Sequence, residues 1–176
     1  MPQINFDNYA QFFTATILEW KNLLKEDEYK DIIIKSLQFL KSEGAVVIYA
    51  FVIMPNHIHI VWQIQDGYTL EKIQLRFLKF TAQQMKFKLL DTADPRLSDF
   101  FVNAKDRQYQ FWERNAYCVD LWSLPVIQQK INYIHNNPLQ DKWQLVKYAE
   151  DYKYSSARFY ETGVDDFLLL THYMGD

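Results

Sequence analysis

Ala45-Val46-Val47-Ile48-Tyr49-Ala50-Phe51-Val52-Ile53-Met54-Pro55-Asn56-His57-Ile58-His59-Ile60-Val61-Trp62-Gln63-Ile64-Gln65 is the stretch that sets the architecture. Residues 45–54 form a continuous apolar run, long enough for a strand buried on both faces and about half of what a membrane-spanning helix needs. Pro55-Asn56 breaks the run. A second strand is expected over 57–65, where Ile58, Ile60, Trp62 and Ile64 alternate with His57, His59, Val61 and Gln63. Residues i and i+2 of a strand share a face, so His57 and His59 project together, close enough to share a metal, while Ile58 anchors the strand in the core. The same pair also fits a surface histidine beside one satisfied by a carboxylate.

Outward from this stretch, residues 12–18 are aromatic and β-branched and read as a strand. Residues 27–40 carry Tyr29, Ile32, Ile33, Ser36, Leu37 and Leu40 near helical spacing behind an acidic start, with Gly44 as the stop. A longer helix is expected over 69–90, with Ile73, Phe77, Phe80 and Met85 on one side. Residues 91–106 read as a loop, 109–113 as a late strand, and 125–136 as a helix that Pro138 ends by pushing its predecessor out of helical angles. From about residue 142 an irregular aromatic extension follows, with a short helix around 155–160. The order strand, helix, strand, strand, helix, strand, helix implies one α+β domain over residues 1–176, an antiparallel sheet with helices packed mainly on one face.

Composition bounds the partners. The chain has 176 residues, 49% of them hydrophobic and 17% aromatic, with four glycines and five prolines, which excludes a linker-rich or low-complexity design. Cys118 stands alone, and Met1-Pro2-Gln3-Ile4-Asn5 lacks the basic segment and apolar run of a secretory signal, so the expected setting is the reducing cytoplasm, away from membranes. The net charge of −3 is uneven: −3 over residues 1–70, +2 over 71–122 and −2 over the remainder. A weakly basic middle is compatible with a local phosphate-binding face.

Tyr133-Ile134-His135-Asn136-Asn137-Pro138 adds a second feature. Tyr133 and Asn137 are four residues apart, hence on one helical face, and offer a phenol and a neutral oxygen donor. If that face docks on the strand bearing His57 and His59, the groups of a metal-assisted nucleophilic site assemble. A core tyrosine and an asparagine cap would give the same letters. His135 falls off that face and receives no role.

Three motifs in order, Met54-Pro55-Asn56-His57-Ile58-His59, Tyr133-Ile134-His135-Asn136-Asn137-Pro138 and Asp151-Tyr152-Lys153-Tyr154-Ser155-Ser156, resemble the single-tyrosine HUH transposases, above all their REP-associated branch. The likeness runs from about residue 12 to 160. It implies an RRM- or ferredoxin-like α+β fold, with His57, His59 and Asn137 as ligands of Mg²⁺ or Mn²⁺ and Tyr133 as the nucleophile. It also implies a DNA transposase-like activity that nicks and rejoins single-stranded, hairpin-containing DNA through a 5′-phosphotyrosine intermediate, in a monomer or a homodimer. Candidate DNA contacts are Arg76, Lys79, Lys86, Arg107 and Arg114, with Tyr109, Phe111 and Trp112 as base-stacking candidates. The chain departs from the branch after Pro138, where Leu139-Gln140-Asp141-Lys142 replaces an Arg and a small Ala-Gly pair.

Two other classes compete. A domesticated relative would bind hairpin DNA without cleaving it. A metal-dependent phosphoesterase would need further carboxylate ligands, for which Asp66 and Asp120 are nearest in sequence without ligand spacing.

Overall fold

The computed structural model describes residues 8–175; Met1 to Asn5, which carry the targeting expectation, lie outside that range. In chain order the elements are β1 (Ala10–Thr16), α1 (Asp27–Ser42), β2 (Val46–Ile53), β3 (His57–Ile64), α2 (Leu70–Asp91), β4 (Phe101–Ala104), β5 (Arg107–Tyr109), β6 (Tyr117–Leu121), α3 (Leu124–Asn136) and α4 (Ala157–Thr162). Four strands form one antiparallel sheet in the order β2-β3-β1-β6, which places β3 and β1 at its centre. This is the split βαβ order of a ferredoxin-like sheet.

Each face of the sheet has its own core. Phe13, Ala15, Ile17, Ile58, Ile60, Trp62 and Ile64 face α1 and α2, where Phe13 stacks on Trp62 with ring centroids 5.1 Å apart. α1 meets them with Tyr29, Ile33, Leu37 and Leu40, and α2 with Ile73, Phe77, Met85 and Leu89. Gly44 (φ +70) ends α1 in the left-handed region, where glycine carries no Cβ penalty. On the opposite face, Ala10, Phe12, Ala50, Val52, Met54, Val61 and Leu121 pack against Ile131 and Ile134 of α3. A register shift between Ile48 and Ala50 lets β2 serve both cores: Val46 and Ile48 precede it on the α1/α2 side, and Phe51 and Ile53 rejoin that side after it. The extension after α3 closes the outer edge of β2 through isolated bridges of Val52 with Ser155 and Ile48 with Leu170.

Several sequence expectations are corrected. The fourth sheet strand is β6, not 109–113: β5 pairs with β4 in a separate ribbon, and Trp112 makes only an isolated bridge to Ile17. Thus 91–106 is not all loop, since a 3-10 segment (Pro95–Phe100) and β4 lie within it. Phe80 is exposed, because α2 buries every fourth residue and Thr81 takes the inward place. Pro138 does not expel Asn137 from helical angles: Asn137 (φ −57, ψ −47) carries the helix into a 3-10 turn, Asn137–Leu139. The short C-terminal helix starts at Ala157, two residues later than expected.

Candidate active site

His57 and His59 lie on the α3 face of β3, buried, with ring centroids 4.8 Å apart and planes inclined at 69°. Neighbouring groups fix both rings. Asn56 Nδ2 donates to the Trp20 carbonyl (3.2 Å), which turns Asn56 Oδ1 toward His57 Nδ1 at 2.8 Å. An amide oxygen only accepts, so Nδ1 carries the proton and Nε2 presents a lone pair. Thr14, the cross-strand partner of His59, sets its hydroxyl 2.7 Å from His59 Nδ1, where it can accept from an Nδ1–H and leave Nε2 to the cleft. Hydrogen bonds to the far nitrogen are how proteins orient metal-ligating imidazoles.

α3 supplies the other half. Ser123 caps it, accepting from Val126 N at 3.4 Å, and Pro125 occupies its first turn. Ile131 and Ile134 seat it on the sheet, which directs Tyr133 and Asn137 toward the histidines. The Tyr133 ring centroid is 5.4 Å from that of His59 and 6.0 Å from that of Phe12, yet 45% of Tyr133 remains exposed. Asn137 is only 2% exposed, and its Oδ1 is buried without a hydrogen-bond partner. A buried acceptor left unmade costs about 1–3 kcal/mol, so this oxygen is suited to a partner the protein does not provide. Two imidazole nitrogens and one amide oxygen fit a divalent ion that accepts mixed nitrogen and oxygen donors. Among the described residues no cluster of three or more His, Cys, Asp or Glu side chains could hold a metal.

Burial pushes His57 down to about 4, against a smaller upward pull from Asn137, with the Lys142 charge lowering it further. Burial also takes His59 down to about 3, helped by His57, Lys130 and Lys142. Both rings are therefore neutral at pH 7, the state a ligand needs. Among the described residues the cleft is lined by Thr14, Thr16, Trp20, His57, His59, Tyr133, Asn137, Gln140 and Lys142, none of them a carboxylate. Lys130, one turn before Tyr133, lies 4.7 Å from the Phe12 ring centroid and 5.8 Å from that of Tyr133. These cations and an absence of acidic lining suit a polyanion.

Lys130, Lys142, Gln140, Trp20 and Trp143 are neighbours that the sequence reading missed. Lys130 was accessible to it, because position i−3 shares the Tyr133 face. The others come from loops that only the tertiary fold brings together. Arg76, Lys79 and Lys86 instead ride on α2, across the sheet from the histidines. Arg76 pairs with Glu43 at 2.7 Å, Lys86 lies over the Tyr109 ring, and Arg107 pairs with Asp106 at 3.2 Å, while Arg114 is exposed. None of the five lines the cleft. Phe111 and Trp112 are buried core residues, Phe111 stacked on Phe100 and Trp112 Nε1 donating to Thr81 Oγ1 at 3.0 Å, so neither is free to stack a base. His135 points away from the cleft, with Nε2 2.8 Å from Ser156 Oγ. Asp120 pairs with Gln11 (3.5 Å) on the α2 side, and Asp66 follows β3 in a turn.

No family model matches the chain, and no curated protein matches its sequence. Its fold is similar to the solved structure of a REP-associated tyrosine transposase bound to a REP hairpin, at 17% identity and a TM-score of 0.65, over 96% of this chain and 91% of that one. A second solved structure, of a transposase candidate from Deinococcus radiodurans R1, aligns at 15% identity and a TM-score of 0.47, over 73% of this chain and 90% of that one. The first likeness establishes the architecture: a four-stranded antiparallel sheet with helices on both faces, built as in a tyrosine transposase. No helix among the described residues is long and apolar enough to cross a membrane.

Proposed function

We propose that the chain is a metal-dependent DNA strand transferase that nicks and rejoins single-stranded, hairpin-containing DNA through a 5′-phosphotyrosine link. The observation that carries this reading is one cleft holding two imidazoles held at Nδ1 by Asn56 and Thr14, the unpartnered Asn137 Oδ1 and the exposed Tyr133. The fold shared with a transposase solved on a hairpin supports the choice of substrate.

His57, His59 and Asn137 would hold Mg²⁺ or Mn²⁺, which when bound polarises the scissile phosphate and neutralises charge that develops on it. The Tyr133 phenol oxygen attacks phosphorus as the bond to the 3′ oxygen breaks. The phenol gives up its proton and the 3′ oxygen gains one, so the step is balanced without ATP. The phosphotyrosine bond conserves the energy of the broken linkage for rejoining. Lys130 and Lys142 attract the phosphates, and the two histidines orient rather than exchange protons, since their Nδ1 atoms are committed to Asn56 and Thr14. All these groups belong to one chain, which supports action by a monomer over a shared site in a homodimer.

The test incubates a pool of fluorescent hairpin oligonucleotides with single-stranded flanks in Mn²⁺ or Mg²⁺, followed by denaturing electrophoresis. The reading predicts a covalent protein–DNA band that Tyr133→Phe and chelation abolish while hairpin binding persists. Hairpin binding with no cutting in either ion supports the binding-only alternative. Metal-dependent hydrolysis that survives Tyr133→Phe supports a phosphoesterase.

A further inference from the structure

Trp20 stands at the mouth of the cleft with 61% of its surface exposed, its ring centroid 6.4 Å from that of His57. Its backbone is held in an uncommon state: Glu19 (φ +53) and Trp20 (φ +57) are consecutive left-handed residues, and neither is glycine. Residues with a Cβ enter that region at a cost. Four contacts maintain it. Trp20 N donates to Ile17 O (2.9 Å), Glu19 N to Glu113 Oε1 (2.6 Å), and Lys21 Nζ to Glu19 Oε2 (2.7 Å). Asn56 Nδ2 donates to Trp20 O (3.2 Å), so the side chain that orients His57 also fixes Trp20.

These contacts engage backbone and neighbouring side chains and none requires the indole itself. A strained turn presents a large indole to water, where glycine would relax the turn and remove the exposed apolar surface. Persistent strain at a reactive cleft points to function. The surroundings specify the kind of partner. Lys142 and Lys130 supply positive charge, none of the described lining residues is a carboxylate, and Trp143 flanks His57 on another side at 6.0 Å between ring centroids. A flat aromatic surface beside a phosphate-attracting cleft is the arrangement that receives a single-stranded base.

We propose that Trp20 is the stacking platform for a nucleobase adjoining the phosphate engaged by the cleft, positioning the strand for Tyr133. This rests on the proposed action on single-stranded DNA. Stacking engages any base, so Trp20 sets the position of the strand and leaves recognition of its sequence to other contacts.

The test measures binding of fluorescein-labelled oligothymidylate of about 15 nucleotides, and of an equal-length backbone carrying abasic residues throughout, to the full chain. The parent is expected to prefer the base-bearing strand by about tenfold. Trp20→Gly should lose most of that preference while melting at or above the parental temperature, and Trp20→Phe should retain part of it. Equal binding of both strands by the parent, or an undiminished preference in Trp20→Gly, overturns the platform while leaving DNA binding intact. A Trp20→Gly protein melting well below the parent overturns the strain argument and the proposal with it. Binding of neither strand overturns the platform and the proposed function together.

Discussion

The Tyr133 ring lies 5.4 Å from the His59 ring, inclined at 63°, and both side chains belong to the same chain. α3 packs on the same sheet that carries β3, so the phenol and the imidazoles reach one cleft without a second copy. In this geometry the proposed nucleophile would act in cis.

Mixing variants checks this arrangement. Tyr133→Phe and His59→Ala proteins combined in equal amounts are expected to remain inactive in DNA labelling. In an assembly where each tyrosine serves a partner's histidines, the mixture would regain about a quarter to half of the parental activity, which would contradict a cis site.

Orientation of the imidazoles depends on their outer partners. Thr14→Val removes the hydroxyl 2.7 Å from His59 Nδ1 and leaves that buried ring nitrogen unpartnered. Loss of such a partner typically costs 10–100-fold in metal affinity, so half-maximal activity should shift to about tenfold or more higher Mn²⁺. An unchanged Mn²⁺ dependence would show that the Thr14 contact does not tune the site.

Acid should weaken the metal-free fold. Burial lowers His57 to about 4, His59 to about 3 and His135 to about 4 from an ordinary 6.5. The unfolded chain then binds more protons than the folded one between those values and pH 6.5. Stability is full above about 6.5 and falls as the pH drops toward 4, each imidazole adding up to about 1.4 kcal/mol per pH unit to the slope. Urea unfolding across this window measures the slope, and His135→Gln, outside the cleft, should flatten it by about one proton. A slope that His135→Gln leaves unaltered would show that this ring is not held neutral by burial.

Ile58 separates the two histidines and is fully buried between the sheet and its helices. Ile58→Ala should cost about 2–5 kcal/mol through lost burial and a cavity beneath the site. Calorimetry or urea titration checks the loss, and a change below about 1 kcal/mol would mean that the strand is anchored elsewhere.

The histidine face of β3 was legible because strand periodicity is strict, and the Tyr133–Asn137 face because helical spacing is. Gly44 marked the end of α1 for a local reason, its left-handed conformation. β6 was not legible: Tyr117, Val119 and Leu121 alternate with Cys118 and Asp120, but the strand is short and the aromatic run at 109–113 offered a stronger local signal. The helical angles of Asn137 run against the usual bias before proline, and its burial beside the histidines is a tertiary fact that local sequence does not carry. The basic residues of α2 share a composition with phosphate-binding faces, but which face of the sheet a helix covers is a tertiary fact. Trp20 and Lys142 reach the cleft from loops whose path no periodicity encodes.

The most direct test of the account is peptide mapping by mass spectrometry of the protein–DNA adduct trapped in Mn²⁺. The account predicts a nucleotide 5′-phosphate on the peptide containing Tyr133, and no adduct in the Tyr133→Phe protein. An adduct on another residue, or one that persists in Tyr133→Phe, would contradict the assignment of Tyr133 as the nucleophile opposite His57 and His59.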